Sequence, residues 1–284
     1  MLRSGRKKDF AQPPVTENNG PLRIGAVRYL NARPLVAALP ELAPEAALTF
    51  DHPSRLADAL AAGRLDVALI PTIEYARIPG CTIVSDACIA GEGPVLSVKL
   101  FGRVSPSQIR RLALDEGSRT SAALVRILLA KRFGIRPQLE LLPLDASPHD
   151  SSADAVLLIG DRGIAYDAQD FEFVWDLGAE WWEWTGFPFV FAFWAARSGV
   201  AIGKLAQVLS AARDAGLQRL PEIARRHAPQ VGISEEDCLC YLRDHLKFHL
   251  GAEQQKSLLR FFELAAEENL IPAKVELALH CEPT

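Results

Sequence analysis

Short apolar runs alternate with stretches of helical periodicity along the first third of the chain. The pattern predicts strands at residues 23–28, 46–50 and 65–70, and helices that begin near Asn31 and Pro53. Repeated strand-helix units of this kind form a parallel sheet with helices on its faces. The sequence therefore predicts an α/β fold for this part of the chain.

The middle of the chain contains a second strand-helix series, bracketed by two long extended apolar runs at residues 94–101 and 187–195. Two such runs indicate connections that cross between two α/β units. The elements predicted inside the brackets are strands at 112–114, 138–142 and 153–159, and a helix at 121–133.

This arrangement predicts two lobes that face each other across a cleft. We assign residues 22–100 and 190–284 to the first lobe and residues 101–189 to the second, and we expect residues 1–21 to form a flexible arm. Ligands bind at the carboxyl ends of the strands in open α/β sheets, so loops of both lobes should surround one site.

Helical periodicity dominates the C-terminal part of the chain, over residues 204–228, 234–250 and 252–269. These helices are expected to pack on the first lobe or against another subunit, as a monomer or a homodimer. His245 and His249 would lie four residues apart on one helix, a spacing that suits a metal ion. No acidic or thiol side chain is placed to complete such a site, so no metal is predicted.

Composition narrows the class of protein. The chain has 284 residues, of which 49% are apolar, which is enough for a large core. Its net charge of -4 comes from interspersed acidic and basic residues, so neither nucleic acid nor a membrane is an expected partner. We expect a cytoplasmic protein, because the chain shows no secretory signal and no spanning segment, and its five cysteines form no Cys-x-x-Cys pair.

Four predicted strand-to-helix turns supply the candidate binding groups, with Asn31 at or near the first N-cap and Pro34 in the first turn of that helix. Backbone N–H groups at a helix start have no partner within the helix and favour anions, so the turns suit a small organic acid. In the third turn, Ser118 or Thr120 could instead simply cap its helix. The candidate residues are Tyr29, Asn31, Thr72, Ser118, Arg119, Thr120, Ser121, Gly160 and Asp161.

Three tryptophans fall within four residues, at Trp181, Trp182 and Trp184. They could wall a pocket for a ring or belong to the core, and the core is the favoured interpretation. The chain also lacks a Gly-x-Gly-x-x-Gly sequence, a P-loop and a Gly-x-Ser-x-Gly sequence. We therefore predict a protein without a cofactor.

Six segments stand out by their specific wording and consistent order: RIGAVRYLNARPLV (23–36), LDVALIPTIEY (65–75), GPVLSVKL (93–100), LDEGSRTSAALVRIL (114–128), LIGD (158–161) and DLGAEWWEWTGFPFVFAFW (176–194). Together they resemble one family, the menaquinone-biosynthesis chorismate dehydratases of the futalosine route, or MqnA family. The resemblance covers about residues 22–270 and implies a two-lobed fold of the type II periplasmic-binding-protein class.

The resemblance implies that chorismate is the substrate and that it loses water to give 3-[(1-carboxyvinyl)oxy]benzoate. Asn31 and Ser97 are then the candidate catalytic residues, and the other residues of the four turns bind the substrate. No histidine, lysine or unpaired carboxylate matches the position of a base. The resemblance suggests that the enolpyruvyl carboxylate of the substrate takes the proton, while Asn31 orients it or assists departure of the hydroxide.

Two other functions share the predicted fold. One is a cytosolic protein that binds or senses a small anion without catalysis. The other is the sister dihydroxynaphthoate synthase, which is expected to use a histidine in the cleft as base. His149 is the mid-chain candidate for that histidine, although its sequence context does not match.

Overall fold

The computed structural model describes residues 20–272 and 275–278 of the chain. Most of the predicted flexible arm and Cys281 therefore lie outside the described residues. Two mixed sheets organise the rest, one of six strands and one of five. We call the six-stranded sheet with its helices the first lobe and the five-stranded sheet with its helices the second lobe.

The strands are β1 (Arg23–Val27), β2 (Ala47–Asp51), β3 (Val67–Pro71), β4 (Thr82–Gly91), β5 (Val98–Gly102), β6 (Arg111–Asp115), β7 (Gln138–Leu142), β8 (Ala155–Ile159), β9 (Phe173–Asp176), β10 (Phe189–Ala196) and β11 (Lys247–His249). The α-helices are α1 (Arg33–Val36), α2 (Leu39–Leu42), α3 (Pro53–Ala61), α4 (Thr72–Tyr75), α5 (Thr120–Phe133), α6 (Asp161–Ala165), α7 (Leu177–Thr185), α8 (Leu205–Gln218), α9 (Leu220–Val231), α10 (Glu235–Cys240) and α11 (Ala252–Glu267).

The first sheet has the strand order β11-β4-β10-β3-β1-β2. Strands β1, β2 and β3 are parallel, as the strand-helix repeats predict, while β10 runs antiparallel to both β3 and β4. Every residue of β3 is buried, because helices cover both faces of this sheet. Strand β4 was not predicted from the sequence, because the polar residues Ser85 and Asp86 interrupt its apolar pattern.

The second sheet has the order β7-β6-β8-β5-β9. Its strands β6, β7 and β8 are parallel, whereas β5 is antiparallel to its neighbours β8 and β9. Helix α5 begins directly after the loop that follows β6, as predicted. The amino end of α5 therefore lies at the carboxyl edge of this sheet.

Two segments, residues 92–97 and 186–188, connect the lobes. The first was predicted as part of one continuous strand over 94–101, which is wrong, because Leu96 has a φ of 58° and β5 begins only at Val98. The predicted lobe boundary after residue 100 falls inside β5. We propose that the boundaries between the lobes lie within these two connections rather than after residue 100.

The C-terminal part differs most from its prediction. The single helix predicted over 204–228 is two helices, α8 and α9, and Pro221 lies in the first turn of α9. The helix predicted over 234–250 ends at Cys240 and is followed by a π-helical turn and by β11.

His245 and His249 therefore do not share a helix. Strand β11 pairs with β4 and forms the edge of the first sheet, and this long-range pairing overrides the local helical pattern. His249 instead places its Nδ1 atom 2.9 Å from a carboxylate oxygen of Asp86. The described residues contain no group of three or more potential ligands that could hold a metal ion.

Of the three clustered tryptophans, Trp181 belongs to the core, whereas Trp184 is half-buried and Trp182 is exposed. Trp181 is fully buried, packs edge-on against Phe189 with ring centroids 5.2 Å apart, and donates its indole N–H to Ser257 Oγ at 3.2 Å. This bond joins helix α11, which carries Ser257, to α7 of the second lobe. Among the described residues, no helix is both long enough and apolar enough to cross a bilayer.

Candidate active site

A cavity lies between the two lobes, at the carboxyl ends of β1, β3, β6 and β8. Its empty space measures about 540 Å³ with the solvent at its mouth included. Eight of the ten predicted site residues line it, whereas Thr72 and Asp161 do not. Its polar lining consists of Tyr29, Asn31, Ser97, Ser118, Arg119, Thr120 and Ser121.

The remaining lining is apolar or glycine, and includes Phe191 from β10 and Ile89 from β4. These two residues were not predicted as site residues, because alternation along a strand does not reveal which face borders a cavity. The described lining contains no histidine, lysine or carboxylate side chain. The described residues that line the cavity therefore supply no histidine, lysine or carboxylate as a base.

Asn31 lies in a short 3-10 helix, Leu30–Ala32, that leads into α1. The N-cap of this turn is Tyr29 and that of α1 is Ala32, so Asn31 lies near the N-cap, as predicted, but its side chain caps neither helix. The Asn31 Oδ1 atom is buried and accepts no hydrogen bond from any described residue. A buried amide oxygen without a partner carries a desolvation cost, and it remains available to a ligand in the cavity.

Tyr29 closes one side of the cavity. Its hydroxyl lies 2.9 Å from His52 Nδ1, and its ring packs against the backbone of Gly160 from the second lobe. Burial raises the pKa of Tyr29, so the phenol stays protonated at neutral pH. Burial also lowers the pKa of His52, with Arg28 acting in the same sense, so this histidine is predominantly neutral there.

The loop before α5 and the first turn of that helix together contribute the largest number of hydroxyl groups, from Ser118, Thr120 and Ser121. Neither Ser118 nor Thr120 caps the helix: the N-cap is Arg119, and no side chain caps it. Thr120 Oγ1 instead accepts the backbone N–H of Ile73 from the first lobe at 3.2 Å. The Ser118 hydroxyl is buried without a hydrogen bond to a described residue.

Arg119 does not offer a free charge to a ligand. Its guanidinium donates to Glu74 at 2.9 Å and to both oxygens of Asp58 at 2.8 Å. Glu74 and Asp58 belong to α4 and α3, so this ion pair joins the two lobes. The predicted role of Arg119 in binding an anion is therefore replaced by a role in holding the lobes together, which local sequence cannot reveal.

Thr72 is also committed within the protein. Its hydroxyl donates to the carbonyl of Val190 at 2.8 Å, beneath the cavity floor that Pro71 forms. The polar group that a helix start offers at this turn is thus used to join α4 to β10. Thr72 acts in the scaffold of the site rather than at its surface.

The turn after β8 brings the second lobe to the first. Gly160 lines the cavity, while the Asp161 carboxylate points away from it and accepts the backbone N–H of Leu30 at 2.8 Å. The predicted anion site at the Tyr29–Asn31 turn therefore does hold a carboxylate, but one that the protein itself supplies. This contact also fixes the short helix that carries Asn31.

We expect the cost of burying Asp161 to depend on pH. Burial raises the pKa of Asp161 in the folded protein, so the folded state binds its proton more readily and loses stability as the pH rises through that pKa. Asp161→Asn keeps the acceptor for Leu30 without the charge. Its melting temperature should exceed that of the wild type at pH 7, and the difference should vanish below about pH 3, where Asp161 is largely neutral in both states. Calorimetry across this range measures it; an unchanged difference would contradict the assignment.

Ser97 is buried and lines the cavity from the connection that precedes β5. Its neighbour Tyr241 lies on the π-helical turn and was not predicted as part of the site. Burial raises the pKa of Tyr241, whose hydroxyl is buried without a hydrogen bond to a described residue. A π-helical turn is often found at a functional site, but it has no clear sequence signature.

The fold defines a class of protein, the two-lobed proteins of periplasmic-binding-protein type. A protein of Archaeoglobus fulgidus has a similar structure, with a TM-score of 0.72, 16% identity, and coverage of 89% of this chain and all of the other. The periplasmic aliphatic sulphonate binding protein of Escherichia coli is similar at a TM-score of 0.63 and 19% identity, over 93% of this chain and 92% of its own.

Sequence comparison identifies the family within this class. The profile of a menaquinone biosynthesis family matches residues 22–267. A chorismate dehydratase of Thermus thermophilus is 32% identical over 268 residues, which cover 86% of this chain and 94% of that relative. The chain belongs to the menaquinone biosynthesis family.

Proposed function

We propose that this protein is a chorismate dehydratase, a hydro-lyase that converts chorismate to 3-[(1-carboxyvinyl)oxy]benzoate in menaquinone biosynthesis by the futalosine route. The similarity to the chorismate dehydratase of Thermus thermophilus and membership of the menaquinone biosynthesis family support this assignment. The observation that carries the mechanism is the described cavity lining: hydroxyl, amide and backbone donors surround the space, and no titratable base faces it.

The cavity suits the charge of the substrate. Chorismate carries two carboxylates, one on the ring and one on the enolpyruvyl group. We assign the ring carboxylate to the start of α5, where Ser118 and Ser121 line the cavity and the free N–H groups of the first turn favour an anion. Arg119 contributes to this site only through its charge at a distance, because its guanidinium is already paired with Glu74 and Asp58.

This placement favours the transition state. The proton on ring carbon C3 is vinylogously acidic, so its removal sends negative charge toward the ring carboxylate. Donors fixed at that carboxylate therefore bind the transition state more strongly than the ground state. Expulsion of the hydroxyl group from C4 then completes the aromatic ring, which drives the reaction forward.

The proton can travel within the substrate. We propose that the enolpyruvyl carboxylate takes the proton from C3 and passes it to the oxygen that leaves C4, so that water is released and no proton is gained or lost. We assign to Asn31 the contacts with the substituents on C3 and C4. Its amide nitrogen donates to the enolpyruvyl carboxylate, and its buried Oδ1 accepts from the C4 hydroxyl. Ser97 holds the enolpyruvyl carboxylate from the opposite wall.

The sister dihydroxynaphthoate synthase receives less support. His149 lies on the short helix Pro148–Asp150 with an exposed side chain, and it does not line the cavity. A reaction that needs a histidine base in the cleft has no candidate among the described lining residues.

Incubation of the purified protein with chorismate tests the proposal directly. We expect a product lighter by one water, with the aromatic proton signals of a 1,3-disubstituted benzene by NMR. Calorimetric titration with chorismate distinguishes the enzyme from a protein that binds chorismate without catalysis. Saturable binding with chorismate recovered intact would identify a binding protein, and absence of both binding and turnover would exclude both functions.

A further inference from the structure

The connection that carries Ser97 contains a strained turn. The N–H of Ser97 donates to the carbonyl of Val95, two residues earlier, at 2.6 Å, and the residue between them, Leu96, has a φ of 58°. A three-residue turn with a positive φ at its centre is rare, and a residue with a branched side chain adopts it at a cost. Such strain persists only where the surrounding structure enforces it.

One carboxylate enforces this turn. Asp176 accepts the backbone N–H of Val95 at 3.0 Å and that of Leu96 at 2.6 Å. The same carboxylate caps α7, where it accepts the N–H groups of Gly178 at 3.0 Å and Ala179 at 3.2 Å. Four backbone donors from two segments therefore converge on one side chain.

The start of α7 lies directly against the turn. A Cβ atom added at Gly178 would lie 2.6 Å from the carbonyl oxygen of Gly93 and 2.8 Å from Val95 Cγ1. This close approach lets Asp176 reach both segments at once. A helix cap alone needs only the contacts to Gly178 and Ala179, so the two further bonds serve the connection that presents Ser97.

We infer that Asp176 is a positioning residue, which acts through the turn at Val95–Ser97 to place the Ser97 hydroxyl against the substrate carboxylate. The inference rests on the proposed function for its catalytic consequence. Its structural part, that Asp176 holds this turn, stands apart from the identity of the substrate.

The matched control is Asp154. Its carboxylate also accepts two consecutive backbone N–H groups in the second lobe, from Arg110 at 2.8 Å and Arg111 at 2.9 Å, but these residues do not line the cavity. Asp154→Asn therefore reports the general effect of weakening such a bond pair. Asp176→Asn keeps the volume of the side chain but offers one acceptor oxygen, and Asp176→Ala offers none.

Turnover of chorismate gives the first measurement. We expect Asp176→Ala to lower kcat by on the order of 10–100-fold, with a smaller change in KM, because the substrate still binds but the hydroxyl is displaced. Asp154→Asn should keep its kcat within about twofold of the wild type, as expected for a site remote from the chemistry. Leu96→Gly in the Asp176→Ala protein should recover part of the loss, since glycine adopts a positive φ without strain.

Amide hydrogen exchange gives a measurement that does not depend on catalysis. In folded Asp176→Asn, the amides of residues 95–97 should exchange at least about tenfold faster than in the wild type, and they should be unchanged in Asp154→Asn. Normal exchange in Asp176→Asn would overturn the inference, as would a loss of kcat that Leu96→Gly does not relieve. A wild type that leaves chorismate intact would refute the proposed function alone, because the exchange result would still decide the role of Asp176.

Discussion

Asn31→Ala should lower kcat for chorismate by on the order of 10²–10³-fold, the loss that follows removal of one preorganised hydrogen-bonding group from an active site. The folded protein should keep its melting temperature within a few degrees. The Asn31 Oδ1 atom has no partner among the described residues, so its removal breaks no hydrogen bond there and relieves a desolvation cost. Product formation by mass spectrometry and a thermal melt test both parts.

His149→Ala is the control for this experiment. The His149 side chain is exposed and remote from the cavity, so its replacement should leave kcat unchanged. The reverse result, with a normal rate in Asn31→Ala and a lost rate in His149→Ala, would remove Asn31 from the mechanism and would place His149 in it.

Gly160→Ala should reduce both stability and activity. The residue has φ 63° and ψ -147°, a conformation that is essentially restricted to glycine and costs other residues about 1–3 kcal/mol. A Cβ atom at this position would also lie 2.7 Å from the ring of Tyr29. Since Tyr29 belongs to the first lobe, the added methyl group should force the lobes apart and lower kcat/KM by on the order of 100-fold, as a misplacement of about 1 Å can do.

Gly134→Ala separates strain from the clash with Tyr29. Gly134 ends α5 with a φ of 70°, and no atom lies within 4 Å of an added Cβ. Its replacement should cost about 1 kcal/mol in the free energy of unfolding and leave kcat/KM intact. Urea denaturation and steady-state kinetics of the two variants measure the difference. Equal activities would show that contact between Gly160 and Tyr29 is dispensable.

Local sequence signals predict most of the elements that form the cavity wall. The apolar runs that become β1, β3 and β8 are short, bounded by turn residues and followed by helix starts, so they can be recognised without knowledge of their partners. The turns at their carboxyl ends were predicted as candidate binding segments for the same reason. The fold class follows from this repetition.

The partners of individual side chains could not be predicted in this way. Arg119 looks like an anion-binding residue at a helix start, but its carboxylate partner Glu74 lies 45 residues earlier in the chain. The free N–H of Leu30 looks like a ligand site, but Asp161 occupies it from 131 residues away. Strand β11 forms from a helical pattern because β4 offers it an edge. In each case a contact between distant segments decides the outcome.

Three of the contacts that join the lobes beside the cavity also bear on the resting state of the protein. Asp161 with Leu30, Thr120 with Ile73, and Arg119 with Glu74 all link residues at or next to the cavity lining. Any movement that separates the lobes must break these bonds. The bonds therefore favour the closed arrangement of the lobes before any substrate is bound.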